Sequence, residues 1–265
     1  MPRKEPALKL ERSPLAFVLS QVRFPAVLKM EDRVPDIQEA LRKQDFPRYN
    51  KEDIQQVTFS GNELKAERDK RWVFVSRSRH EAVILSSNFV VYETSDYDVF
   101  ETFTERFSPV LKLIADATTT EFVEQLGLRY VDLIRPTENK AACEFLRENV
   151  RGLSQEDLGA SSLRNQFSTQ AHTEQGDLFV RSFENTGPNM VPPDLVSTHL
   201  RFKTNPDDLK DELYRILDID HISKGEFDFH PEDLIQKLWD LHEFSSKAFE
   251  AAVTEEAIEF WKREA

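Results

Sequence analysis

Phe100, Phe103, Phe107, Val110, Leu111 and Ile114 recur at the three- and four-residue spacing of a single helix face. This stripe constrains the chain more than any other feature, because a helix so apolar on one side must lie on an equally apolar layer. Ser95 reads as its N-cap, with Asp98 completing a variant of the capping box. Pro109 falls inside the helix and is expected to kink it. A second long helix opens at Pro231 and buries Leu234, Leu238, Leu241, Ala248, Phe249 and Ala252, and a short terminal helix follows Thr254.

The layer beneath them reads as antiparallel strands. Leu15 to Phe24 is a continuous apolar run ending at Pro25, and a short helix from Pro35 to Arg42 follows. Runs of strand character cover Ile54 to Ser60, Glu63 to Glu67, Trp72 to Ser76, Ala82 to Ser86 and Phe89 to Glu93, with Gly61-Asn62 as hairpin punctuation. After the first long helix the pattern starts again. Glu121 to Ile134 reads as a strand with a bulge at Gly127, and Ala141 to Asn149 as a short helix. Leu163 to Thr173 and Leu178 to Glu184 form a hairpin closed at Gln175-Gly176-Asp177. Leu195 to Lys203 is a further strand, and Leu213 to Ile222 a strand whose spacing also allows a helix. The irregular stretch Asn185 to Asp194 cannot readily join a ladder. The expected class is α+β: a curved antiparallel sheet packed by two long helices, with a strand–helix–strands–helix pattern in each of the halves 1–119 and 120–265, which form one globular unit, and with duplication of that unit left open.

Composition excludes more than it selects. Net charge is −13, which argues against a dedicated nucleic-acid binder and suits a basic protein partner. The densest basic stretch, Lys65 to Arg71, carries two acids and reads as a solvated hairpin end. No apolar run reaches membrane-spanning length, and the single Cys143 excludes an internal disulfide, so a cytoplasmic protein away from membranes is expected. With only 7 Gly, the chain holds neither a Walker A loop nor a dinucleotide fingerprint, and the Gly-x-Ser-x-Gly elbow is missing. No catalytic residue and no cofactor is assigned.

Two constellations remain. Arg129 shares a strand face with Val131 and Leu133, and Arg23 holds the comparable place in the first strand. Arginine among apolar neighbours either has an internal carboxylate partner or reaches a ligand anion. Tyr130 and Asp132, on the opposite face, form a lesser polar candidate. Asp218 and Asp220 in Leu217-Asp218-Ile219-Asp220-His221 would share a strand face and could hold a divalent cation through water, or stand as solvated acids, with His221 on the other side.

Ser13-Pro14-Leu15, Val22-Arg23-Phe24, Tyr97 to Phe103, Gly127 to Asp132, Leu217 to Asp220, and Leu241-His242 through Phe249-Glu250 to Thr254 together resemble a sporadically distributed family of prokaryotic proteins of unknown function and similar length. The resemblance implies a mobile-element or bacterial-defence distribution and supplies no catalytic residues. The family pattern has Asn where this chain has Asp132. Three functions follow as expectations: a non-enzymatic protein that regulates or neutralises a protein partner, with self-association open; a sensor or carrier holding an anionic ligand near Arg129 in a groove under a long helix; and a metal-dependent hydrolase using Asp218 and Asp220.

Overall fold

The computed structural model describes residues 10–60, 63–161, 163–195 and 199–263; along 54–60 and 63–69 the description covers the backbone alone. One open antiparallel sheet of nine strands carries the fold, in the order β2-β3-β4-β5-β1-β6-β9-β8-β7. The strands are β1 (Leu15–Arg23), β2 (Arg48–Ser60), β3 (Glu63–Val75), β4 (Glu81–Leu85), β5 (Phe89–Thr94), β6 (Phe122–Ile134), β7 (Gln166–Thr173), β8 (Gly176–Asn185) and β9 (Tyr214–Asp228). The helices are α1 (Met30–Lys43), α2 (Phe100–Thr118), α3 (Glu148–Arg151), α4 (Gln155–Leu158), α5 (Pro231–Ala252) and α6 (Glu255–Lys262). The sheet runs without interruption across the boundary at residues 119 and 120, through the β1–β6 pair.

Strand alternation sorts the side chains onto two faces. Val18, Val22, Tyr92, Leu128 and Tyr130 pack against the apolar sides of α1, α2 and α5. The expected stripe of α2 is buried in full, and Pro109 lies within the continuous helix. Towards the chain end, Leu217 and Ile219 of the same face meet Phe145, Val253 and Trp261. On the other face, Phe17, Val131, Leu133 and Ile216 are roofed by Met190, Val191, Leu200 and Leu209 from an irregular stretch rather than by a long helix. Burying each such large side chain contributes about 1.5–3 kcal/mol.

The two halves correspond in their first strand, last strand and long helix, although the first half has five strands and the second four. β1 pairs with β5, the last strand before α2, and β6 pairs with β9, the last strand before α5. Arg23 lies opposite Phe89, and Arg129 opposite Asp220. The chain interval from Phe89 to the first residue of α2 equals that from Asp220 to the first residue of α5. Laying Phe100 on Pro231 then carries the buried Phe103, Phe107, Val110 and Ile114 onto Leu234, Leu238, Leu241 and Ser245, which are also buried. The halves meet where Gln21 lies opposite Gly127.

Several local expectations are corrected. Ser95 does not cap α2; the helix opens at Phe100 behind Val99, because the Ser95 hydroxyl donates instead to Arg201 O. Gly127 sits in regular register, and the irregularities fall at Val123/Gln125 and Leu15/Phe17. The 141–149 helix is a 3-10 turn (Ala142–Phe145) followed by α3. No strand forms among the described residues of 195–203, where Leu200 and Phe202 serve as roofing; residues 196–198 lie outside the description. The helical alternative for 213–222 is overturned, since β9 runs unbroken to Asp228 between β6 and β8. The Gly61-Asn62 turn lies outside the described residues, between strands paired up to Ser60 and Glu63.

Candidate functional site

The register of β6, β9 and β8 assembles a cluster of charge on the roofed face. Arg129 lies opposite Asp220, and Asp218 lies opposite both Val131 and Arg181, so these side chains project to one side. Arg129 Nε and Nη2 donate to the two oxygens of Asp218 at 2.7 and 2.9 Å. Nη1 and Nη2 donate to Asp194 at 2.6 and 3.2 Å. One guanidinium thus holds two carboxylates, each through both of its oxygens. Arg181 Nη2 donates to Asp220 at 3.2 Å. Arg181 Nε lies 3.3 Å from Asp218 but is too poorly aligned to donate a hydrogen bond.

Exposure grades across the cluster. The Asp218 side chain is 1% exposed and that of Arg129 8%, whereas Asp194 is 59% exposed. Burial works against the Arg129 charge, but the hydrogen bonds it donates to Asp218 and Asp194 outweigh that and raise its pKa. Burial also opposes ionisation of Asp194, yet Arg129 prevails and leaves that carboxyl below its usual range. Asp220 goes the other way: burial pushes it up to about 6, with the Arg129 charge opposing and the Asp218 charge assisting.

Of the sequence candidates, Arg129, Asp218 and Asp220 come together. The others lie elsewhere. Tyr130 faces the helices, its hydroxyl 2.7 Å from His242 Nδ1. Asp132 lies on that same face, 3% exposed, opposite Leu15 and Leu217. Arg23 lies half-buried at the end of β1, on the face that carries Arg129. Arg129 therefore lies on the side away from α2 and α5, and what covers it is the stretch that ends in Asp194. His221 points to the helix side as expected, with Nδ1 at 3.1 Å from Leu241 O and Nε2 at 2.9 Å from Thr173 Oγ1.

Sequence reasoning missed Asp194 and Arg181 as members. Arg181 carried the signal that marked Arg129, a cation between the half-buried Phe179 and Phe183 on one strand face. Asp194 carried none, since only the folded roof brings it to β6. Chemically, both oxygens of Asp218 are taken up by a guanidinium, and a second guanidinium stands beside Asp220. A divalent cation there would face two positive neighbours. Among the described residues, no group of three His, Cys, Asp or Glu side chains is arranged to hold a metal ion. No protein-family model matches this chain, and no curated protein matches it.

Proposed function

We propose that this chain is a binding protein without chemistry of its own, which regulates or neutralises a protein partner by accepting an extended segment of that partner along β7. The observation that carries the reading is the contrast between the two ends of the sheet. β2, at one end, carries Arg48, Lys51, Glu52 and Asp53, the charged decoration that discourages strand addition. β7, at the other, is an eight-residue strand, Gln-Phe-Ser-Thr-Gln-Ala-His-Thr, with no proline and no Asp, Glu, Lys or Arg. Its pairing with β8, from Gln166 opposite Phe183 to Thr173 opposite Gly176, contains no bulge. Gln166, Ser168, Thr169, Gln170 and His172 are exposed. Such an edge offers a free ladder to a strand from another chain. The net charge of −13 favours a basic partner, and the distribution implied by the family resemblance suits one encoded nearby. Among the described residues, no helix is long and apolar enough to cross a membrane.

The test is capture from the native host with tagged wild type and two variants, Thr169→Pro and Gln170→Pro. Successive residues send their N–H groups to opposite edges of a strand, so one of the two variants leaves the β8 ladder intact. That variant is expected to fold with wild-type circular dichroism and to lose the partner. A partner retained by both folded variants, or wild-type protein that emerges only as a β7-linked dimer of itself, would refute the reading.

A further inference from the structure

The correspondence of the halves exposes an asymmetry. Arg129 in β6 has its carboxylates supplied from within the chain, by Asp218 and Asp194. Arg23 is its counterpart in β1. In β5 and the turn before it, the positions that correspond to Asp218 and Asp220 hold Ser87 and Phe89. Neither is an acid. No hydrogen bond or ion pair joins Arg23 to another described residue, although it is half-buried in a chain where Arg106, Arg135, Arg181 and Arg215 each hold a carboxylate.

A second arginine stands across the same ring. Arg71 of β3 places Cζ 5.6 Å from the centroid of Phe89. Its Nε is buried without a hydrogen-bond partner. Glu52, its neighbour across the β2–β3 ladder, is drawn to His199 Nε2 at 2.6 Å. Arg23 and Arg71 lie on the same sheet face, separated by β5 and β4, about 14 Å at the usual strand spacing. Two arginine side chains reaching over Phe89 can span that distance with one oxyanion between them.

We infer that Arg23 and Arg71, flanking Phe89, form a binding site for the carboxylate or phosphate group of a small ligand, which takes the place that Asp218 fills in the other half. The phenyl ring forms the floor, and the two guanidiniums supply paired donors from either side. This site is independent of the β7 edge, which lies at the far end of the sheet.

Thermal unfolding of the full chain in sodium phosphate, sodium succinate and sodium chloride at equal ionic strength tests the site. Wild type should unfold a few degrees higher in phosphate or succinate than in chloride, because binding to the folded state raises its stability. The difference between salts, read within each variant, should vanish in Arg23→Gln and in Arg71→Gln and persist in Arg42→Gln, a change at an exposed helix position. Ser87→Asp supplies an internal carboxylate where Asp218 sits in the other half; it should unfold higher than wild type in chloride and lose the response. If phosphate alone or succinate alone gives the shift, that salt names the ligand class. Equal salt responses in wild type and both glutamine variants would overturn the site, and so would no response in wild type to either anion at tens of millimolar.

Discussion

Asp132 and Asp218 lie on adjacent strands and opposite faces of the sheet, and burial of the first, reinforced by the charge of the second, pushes the Asp132 carboxyl up to about 8. Asp132 thus stays protonated in the folded chain at neutral pH, while in the unfolded chain it ionises near its ordinary 3.8. Between those values the native state binds more protons than the unfolded state, so stability falls as pH rises from about 4 to about 8.

Asp132→Asn removes that slope. Urea unfolding across this range should show the variant close to wild type at pH 4 and more stable by ~2 kcal/mol or more at pH 8. The Asp220 carboxyl, pushed up to about 6, adds a smaller decline between about 4 and 6 that persists in the variant. Parallel curves for wild type and variant would contradict the burial of Asp132.

The Arg129 pairs are unequal because their exposures are. Asp218→Asn leaves the buried guanidinium short of one charge and should cost about 3–5 kcal/mol in urea unfolding. Asp194→Asn, at the half-exposed end, should cost less than ~1 kcal/mol. Arg129→Met combined with Asp218→Leu should recover much of the loss, since the apolar pair leaves no buried partner charge behind and strands only the half-exposed Asp194.

Gly176 opens β8 with φ +139°, and a Cβ there would stand 2.1 Å from Ile222 O of β9. Gly176→Ala should therefore destabilise the chain by at least ~2 kcal/mol, through both backbone strain and the clash. Gly187→Ala, at φ +87° but in open space, should lose about 1 kcal/mol from strain alone. Chemical denaturation of both variants separates the two causes.

What the sequence made legible follows from range. The stripes of α2 and α5 could be read because helix period and buried face coincide over several turns, and the β7–β8 hairpin because its pairing is local. The α2 start was misread because the Ser95 hydroxyl serves Arg201, far along the chain. The roof over β1, β6 and β9 was misread because Leu200 and Phe202 have strand composition but meet side chains rather than a ladder. Arg129 could be singled out as a cation in an apolar face. That Asp194 would meet it depends on where the roof settles, and no local pattern encodes that.

Hydrogen exchange on the complex captured from the native host tests strand addition at β7, since it reports amide by amide where a partner adds hydrogen bonds. New protection is expected at alternate amides along Gln166–Thr173, with little change in β2. Protection confined to other elements, with β7 exchanging as fast in the complex as alone, would contradict strand addition.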